Sequence, residues 1–207
     1  SNFKNKKILY FFKKDKIQKF IQIGSSAEYG NNSKTLKENF RCKPISIYGK
    51  NKLKISKDAL KIFKKRSFPV IVLRLFQVYG RSDNENKIIP YVINNCRKNK
   101  RFNLTKGEQT RDFTYVKDVV CANILAAESK LVGSGEIINI GSGSQNSVNE
   151  IATLIGGDTI NVDPVIEPRI TLADTNLAKE LLGWEAKTTI QEWIPIYKKQ
   201  LGIDYVD

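Results

Sequence analysis

Short apolar runs alternate with segments of helical periodicity along this chain. Three of the runs are rich in β-branched residues and bounded by turn signals, which predicts buried strands. The predicted strands are 19–24, 70–76 and 136–141, with shorter ones at FNL and FTYV. The predicted helices are 3–18, 45–66, 88–99 and 117–129, followed by one that opens at Ser147, the segment ADTNLAKELL and a last one that opens at Thr189.

Capping residues predict where the last three helices begin and end. Ser147 and Thr189 are each followed three residues later by glutamate, which is the spacing of a capping box. Asp174 is predicted to cap ADTNLAKELL, and Gly183 to end it. Apolar strands that alternate with helices are typical of a parallel sheet covered on both faces. The predicted fold class is therefore α/β.

Composition narrows the class of protein. The chain has 207 residues, 41% hydrophobic and 10% aromatic, which is enough for one large or two small folded domains. No apolar run reaches the ~18 residues of a membrane span, and no signal peptide is visible. The three cysteines lie far apart, which disfavours disulfides or structural zinc and fits a reducing cytoplasm. The lack of histidine excludes Ser-His-Asp and Cys-His hydrolysis.

The formal net charge of +14 has two interpretations. It can attract a polyanion or a phosphate-bearing substrate. The lysines lie in runs beside apolar helical positions, however, which favours solvated helix faces and a compositional bias. A nucleic-acid-binding module has only the charge in its favour, because the sequence contains no zinc finger or RNP-type motif. We therefore expect no nucleic-acid partner and no membrane partner.

The segment YGKNK raises a catalytic possibility. Tyr48 and Lys52 are four residues apart in the predicted helix 45–66, so they fall on one helix face. An isolated tyrosine is a poor base at neutral pH, because its pKa is near ~10. A neighbouring ammonium, with a nicotinamide's positive charge added, stabilises the phenolate. In a lysine-rich chain the same spacing also arises by chance.

Two serines follow the strand 19–24 directly. Loops at the carboxyl ends of parallel strands line the ligand crevice of such folds, which is where Ser25 and Ser26 would lie. Loop serines taken alone are more often turn residues. Ser25, Tyr48 and Lys52 could nevertheless converge, and such a trio would serve hydride transfer at a carbinol or ketone without histidine or metal.

A partial glycine fingerprint follows the strand 136–141. The turn GSGSQN has the strand-to-helix context of a dinucleotide-binding loop. Its third glycine is absent, and no acidic residue follows at the expected distance of ~20 residues. The sequence favours an ordinary strand-to-helix turn.

Six segments in order resemble the extended short-chain dehydrogenase/reductase family, specifically its NAD-dependent sugar-nucleotide epimerase/dehydratase group. The resemblance covers essentially the whole chain. It implies a partial doubly wound, Rossmann-like parallel sheet with a small C-terminal substrate-binding α/β region. The segments are IGSSAEYG, YGKNK, LRLFQVYG, LTKGEQTRDFTYVKDVV, INIGSG and EPRITLADTNLAKELLGW. The implied division assigns 1–81 and 111–145 to the dinucleotide-binding domain, and 82–110 and 146–207 to the substrate-binding region.

The resemblance implies roles for matching residues. Tyr48 is expected to be the catalytic acid/base, Lys52 to bind the nicotinamide ribose and tune Tyr48, and Ser25 to hold the catalytic Ser/Thr position. Phe76 falls where the family packs the nicotinamide of NAD or NADP. Arg111 matches an arginine that contacts the substrate's nucleotide phosphates. Two further substrate-binding candidates are Ser26 and Gln77, and no metal ligand is expected.

Departures from the family pattern are equally informative. The chain has no GxxGxxG unit, and residue 1 matches a point roughly 80 to 100 residues into a typical member, which indicates a fragment or a truncated product. Gln77 stands where asparagine is usual. Pro164 stands where many members have a second phosphate-binding arginine, and Arg169 lies nearby at a different offset.

The catalytic loop narrows the expected reaction. Members that dehydrate hexoses place an Asp-Glu pair where this chain has Ser26 and Ala27, and Glu28 is one residue too late. Epimerisation at C4 through a 4-keto intermediate remains, as does reduction of an NDP-4-keto-6-deoxyhexose; LADTNLAKELLGW favours an epimerase. A non-catalytic fragment is the alternative from another class. We expect a cytoplasmic enzyme of surface-polysaccharide precursor synthesis, dimeric through helices 3–18 and 47–66.

Overall fold

The computed structural model describes residues 17–32, 34–163 and 167–203. The strands are β1 (Phe20–Ser25), β2 (Val70–Leu75), β3 (Gln77–Tyr79), β4 (Phe102–Leu104), β5 (Thr110–Arg111), β6 (Phe113–Tyr115), β7 (Ser134–Ile140), β8 (Asn146–Ser147), β9 (Thr159–Asn161) and β10 (Ile170–Thr171). The helices are α1 (Ile47–Arg66), α2 (Ile88–Arg97), α3 (Val116–Glu128), α4 (Val148–Ile155), α5 (Asn176–Leu182) and α6 (Ile190–Gln200), and a 3-10 turn (Ser26–Glu28) follows β1.

The central sheet is parallel, with strand order β1-β2-β7. Its strands are the three apolar runs of the sequence, so the predicted parallel sheet is confirmed. The register places Ser25, Leu75 and Ile140 side by side, because Leu75 pairs with both of the others. The carboxyl ends of the three strands therefore meet along one edge.

Both faces of the central sheet are covered. Successive residues of β2 point to opposite faces, and Val70 packs with Ala59 and Ile62 of α1. Ile71 packs instead with a cluster that α3 and α5 supply. The predicted Rossmann-like α/β class is confirmed. The cluster's members from these helices and the residues after them are Val119, Ala122, Ala126, Val132, Ala178, Leu182 and Trp184.

A second α/β region lies beside the sheet. Helices α2, α4 and α6 pack around a core that includes Tyr79, Phe102 and Trp193. Short parallel pairs, β3 with β6 and β4 with β9, belong to it, as does the order β10-β5-β8, in which β5 and β8 are antiparallel. The predicted domain boundaries stay a prediction, and α5, although it falls within 146–207, packs on the central sheet.

Local signals predicted most helix ends. Both capping boxes form, with N-caps at Ser147 and Thr189, and Gly183 ends α5 in the left-handed conformation. The predicted cap of α5 is wrong: Thr175 is the N-cap, and the Asp174 carboxylate accepts the Asn176 N–H at 3.1 Å from one residue earlier.

The short strands were the elements that the sequence predicted least well. The strands β4 and β6 were predicted from FNL and FTYV. The other short strands, β3, β5, β8, β9 and β10, were not predicted, because two or three residues rarely show an alternating pattern. The predicted helix 3–18 lies almost entirely outside the described residues. Among the described helices, none combines the length and the apolar character needed to cross a membrane.

Candidate active site

The turn after β1 is held by its own side chains. The Ser25 hydroxyl accepts the Ala27 N–H at 3.2 Å, and the Glu28 carboxylate accepts the Ser25 N–H at 3.0 Å. Together they form a capping box around the 3-10 turn. Ser25 is buried and Ser26 is partly exposed. The catalytic serine candidate therefore lies on a constrained backbone at the carboxyl edge of the sheet.

The first turns of α1 carry the tyrosine and lysine of YGKNK. Ser46 caps the helix, and its hydroxyl accepts the Gly49 N–H at 3.0 Å. Tyr48 is 57% exposed. The Lys52 ammonium donates to the Ile23 carbonyl of β1 at 3.1 Å and lies 5.8 Å from the centroid of the Tyr48 ring. Lys52 thus joins α1 to β1 and places a positive charge beside an accessible phenol.

Gly49 allows α1 to pack against the 3-10 turn. A Cβ at this position would lie 2.4 Å from the Ala27 carbonyl oxygen and 3.0 Å from the Pro44 Cβ. No side chain fits there without a shift of backbone. The glycine between Tyr48 and Lys50 therefore brings the YGKNK helix against the turn that carries Ser25.

Gly49→Ala is expected to destabilise the protein by about 1–3 kcal/mol, because overpacking forces the backbone apart. Helix propensity alone predicts the opposite sign, a gain of about 1 kcal/mol when alanine replaces a helical glycine. Urea unfolding measures the difference, with the exposed Asn51→Ala as a control on the same helix. A gain in stability by Gly49→Ala would contradict the close packing.

A buried ion pair lies beneath the turn. The Glu28 carboxylate is fully buried, and it accepts from Arg74 Nε at 3.1 Å and from the Ser56 hydroxyl at 2.9 Å. Arg74 is 3% exposed, and its guanidinium carbon lies 4.5 Å from the centroid of the Tyr29 ring. Burial raises the pKa of Tyr29 to about 12, although Arg74 opposes the shift. Tyr29 is thus a neutral structural phenol, and its hydroxyl donates to Asn139 Oδ1 at 2.7 Å.

The glycine turn after β7 binds a carboxylate of the same chain. Asp112 is fully buried and accepts the Ser142 N–H at 2.6 Å, the Gly143 N–H at 3.1 Å and the Ala173 N–H at 3.1 Å. Burial raises the pKa of Asp112, and these hydrogen bonds oppose the shift. A Cβ on Gly141 would lie 2.7 Å from Asp112 Oδ2. The structure agrees with an ordinary strand-to-helix turn rather than a phosphate loop.

A cleft of about 480 Å³ lies between β3, β5 and α2. Gln77 and Arg111 both line it, together with the aromatic rings of Tyr91 and Phe113. The structure thus brings together two of the three predicted substrate-binding residues, and Ser26 lies outside the lining of this cleft.

Arg111 is anchored at the cleft by a carboxylate. Its Nη1 donates to the Thr110 carbonyl at 2.8 Å, and its Nη2 donates to Glu167. Gln109 donates to the other oxygen of Glu167 at 3.0 Å. A planar guanidinium of this kind suits phosphate recognition.

Two further positions considered in the sequence analysis, Phe76 and Arg169, lie in other surroundings. Phe76 is 5% exposed, packs with Tyr29, Leu36 and Ala173, and offers little ring surface to a ligand. Its nicotinamide contact stays a prediction. The Arg169 side chain is 78% exposed and pairs with Glu108 at 3.5 Å, and Pro164 lies outside the described residues. Within those residues no group of three or more Asp, Glu or Cys side chains could hold a metal ion.

Comparison with known proteins identifies the family. A sequence model of the NAD dependent epimerase/dehydratase family matches residues 4–141. The chain belongs to the NAD dependent epimerase/dehydratase family. An uncharacterized UDP-glucose epimerase of Bacillus subtilis is 32% identical over 186 residues, which cover 85% of this chain and 58% of the relative. A putative UDP-glucose 4-epimerase of Methanocaldococcus jannaschii is 32% identical over 201 residues, which cover 90% of this chain and 64% of that one.

Solved structures of the epimerase/dehydratase family share the fold. The UDP-glucuronic acid 4-epimerase of Bacillus cereus, in complex with UDP-glucuronic acid and NAD, superposes with a TM-score of 0.87 at 30% identity. The match covers 95% of this chain and 66% of that one. This chain therefore spans less than two thirds of the length of these family members.

Several residues that position the candidate site were not predicted from the sequence. Arg74 interrupts an otherwise apolar strand, which is a signal that a buried charge needs a partner. Glu28 was considered only as a misplaced acid, and Gly49 was given no role. Asp112 follows Arg111 in a motif that was used for the arginine alone. Contacts between segments far apart in sequence gave these residues their roles, and no local pattern reports them.

Proposed function

We propose that this protein is an NAD(P)-dependent enzyme that epimerises a nucleotide sugar at C4 through a 4-keto intermediate. The observation that carries the proposal is the arrangement of YGKNK. An accessible Tyr48 lies beside the Lys52 ammonium, on a helix held against the turn of Ser25. The family, and the NAD and UDP-sugar complexes of its solved members, support the same chemistry.

Tyr48, Lys52 and Ser25 have different proposed roles at the sugar's 4-oxygen. Tyr48 accepts the hydroxyl proton as general base and returns it as general acid. The positive charge of Lys52 stabilises the phenolate between these steps. The Ser25 hydroxyl donates a hydrogen bond to the same oxygen. When bound, NAD supplies the reversible hydride acceptor that oxidation at C4 requires.

The residues fit one end of the cofactor. Tyr48 and Lys52 offer a phenol and an ammonium for the nicotinamide ribose, with Phe76 as the third predicted contact. Within the described residues, the glycine turn at 141–143 offers no open cradle for the pyrophosphate, because Asp112 fills it.

The cleft beside β3 is the proposed nucleotide site. Arg111 is proposed to bind the diphosphate, held in place by Glu167. Gln77 lines the same cleft, and the partly exposed ring of Tyr91 offers apolar surface to a base. Ser26 is proposed to contact the sugar from the turn after β1.

One other function has specific support. A reductase of NDP-4-keto-6-deoxyhexoses would use the same trio, and a CDP-abequose synthase of Salmonella muenchen is 28% identical over 141 residues. Dehydration is disfavoured, because Ser26 and Ala27 offer no acid and Glu28 is buried. A non-catalytic role is the alternative from another class, and the measurement of NAD binding below tests it.

We further propose a cytoplasmic homodimer through segments 3–18 and 47–66. All three cysteines are free, which suits a reducing compartment. Ile47, at the start of α1, is 79% exposed. The proposed division keeps 1–81 and 111–145 with the cofactor, and 82–110 and 146–207 with the substrate.

Native mass spectrometry of the protein purified from its complete gene tests these proposals together. It reports chain mass, oligomeric state and retained cofactor. We expect a dimer that carries NAD(P) and that interconverts UDP-sugars at C4, as followed by proton NMR. A monomer would contradict the dimer alone. A protein that neither retains nor binds NAD at micromolar concentration, and turns over no nucleotide sugar, would contradict the function and leave the non-catalytic alternative.

A further inference from the structure

One buried carboxylate oxygen joins the two parts of the proposed catalytic site. Tyr48, Lys52 and Ser56 are spaced four residues apart on α1, so they share one face of the helix. The Ser56 hydroxyl donates to Glu28 Oε1 at 2.9 Å. The same oxygen accepts the backbone N–H of Ser25 at 3.0 Å. The helix face that carries the tyrosine and lysine is thereby tied to the backbone of the serine.

The other oxygen of Glu28 extends the connection to β2. It accepts from Arg74 Nε at 3.1 Å. The guanidinium of Arg74 also donates to the Glu38 carbonyl at 3.2 Å and to Cys42 Sγ at 3.2 Å. These two residues lie in the segment that leads from the turn into α1. The ion pair therefore fixes the strand, the turn, the connecting segment and the helix at one point.

Stability alone is a weak reason for such a pair. Removing two charges from water is costly, and hydrophobic residues of similar volume often replace a buried ion pair with equal or greater stability. Glu28 and Arg74 are nearly or fully excluded from solvent. Every buried side-chain nitrogen and oxygen among the described residues has a hydrogen-bond partner. A fully satisfied hydrogen-bond network fixes the orientation of the groups that it joins, and apolar packing does not.

We propose that Glu28 is a positioning residue that, paired with Arg74, sets the catalytic geometry between Ser25 and the Tyr48–Lys52 face of α1. Glu28 is too deeply buried to touch substrate, so it acts through these side chains. The inference rests on the proposed function, in which the three side chains meet at the 4-oxygen. A displacement of ~1 Å at such a site can cost ~10²-fold in rate.

Glu28→Gln tests the proposal in the protein from its complete gene. The amide keeps the shape of the carboxylate but turns a donor towards Arg74. We expect kcat to fall about 10- to 100-fold, with the KM for the nucleotide sugar changed by less than about twofold, because the nucleotide cleft is untouched. Amide hydrogen exchange is expected to rise in 25–30 and 47–56 and to stay unchanged in β7.

Asp118→Asn is the matched control. The Asp118 carboxylate is also buried and accepts the backbone N–H groups of Lys187 and Thr188 at 3.0 and 2.9 Å. It lies on α3, which packs on the face of the sheet opposite α1. This variant is expected to lose stability and to keep the wild-type kcat. If Glu28→Gln fails to fold, the double variant Glu28→Leu/Arg74→Leu removes both charges; the same fall in kcat is expected in a folded protein.

The outcomes separate this inference from the proposed function. A Glu28→Gln or double variant with wild-type kcat and unchanged local exchange overturns the positioning role. A wild-type protein that converts no nucleotide sugar overturns the proposed function. In that case amide hydrogen exchange still tests whether Glu28 holds the turn and the helix. Faster exchange in 25–30 and 47–56 of Glu28→Gln supports the proposal, and unchanged exchange there overturns it.

Discussion

Tyr48→Phe is expected to lower turnover of the nucleotide sugar by ~10²-fold or more, because the substitution removes the group that exchanges the proton. Tyr48 is 57% exposed, so losing its hydroxyl leaves the packing of α1 intact. The KM is expected to stay near the wild-type value, since the nucleotide cleft is unchanged. Steady-state kinetics of the protein from its complete gene, with a nucleotide sugar that the wild type converts, measures both constants.

Tyr197→Phe is the control for the loss of a phenol. Tyr197 lies on α6, where its ring stacks on Trp193 with centroids 4.5 Å apart. Its variant is expected to turn over at the wild-type rate. Equal turnover by Tyr48→Phe and the wild type would show that Tyr48 is not the general acid/base.

Asp112→Ala is expected to cost about 3 kcal/mol of folding free energy. The substitution removes the acceptor of the Ser142, Gly143 and Ala173 N–H groups. The Ala173 donor is buried, and a buried donor left without an acceptor costs about 1–3 kcal/mol. The hydrogen bonds of the other two donors are partly buried, and each donor loses a hydrogen bond to a charged group. The turn after β7 and the segment before α5 then lose their common anchor. Urea unfolding, followed by tryptophan fluorescence, measures the loss.

Asp158→Ala is the matched surface variant. The Asp158 side chain is 80% exposed, and its ion pair with Arg101 is 3.8 Å long. An exposed pair of this kind contributes about 0–1 kcal/mol. A loss no larger for Asp112→Ala than for Asp158→Ala would mean that water or a rearranged turn satisfies the freed donors.

The central sheet could be predicted because each of its strands has a recognisable local sequence pattern. Apolar β-branched runs such as 70–76 have few alternatives to a buried strand. Strand-helix alternation then favours parallel pairing, and parallel pairing places the carboxyl ends together. The strand order and register, which place Ser25, Leu75 and Ile140 side by side, came from the structure. Segments of two or three residues rarely carry such a signal, so β3, β5, β8, β9 and β10 were missed, whereas FNL and FTYV were predicted as strands.

The candidate site could be predicted only in part. The spacing of Tyr48 and Lys52 placed them on one helix face, and the position of Ser25 after a strand placed it at the right edge. The sequence did not predict that Gly49 lets this helix pack on Ala27. It also did not predict that Phe76 is buried, because burial depends on which residues of distant segments cover a ring.

The sequence by itself determined the alternating α/β order, most helix ends and the chemistry available at YGKNK, because these depend on residues near one another in the chain. Only the tertiary structure decided which charges meet. Glu28 and Arg74 are 46 residues apart, and Asp112 reaches Ala173 across 61. A buried charge requires a partner, but the sequence does not say which one. Close packing in three dimensions selects it, and with it the geometry of the site.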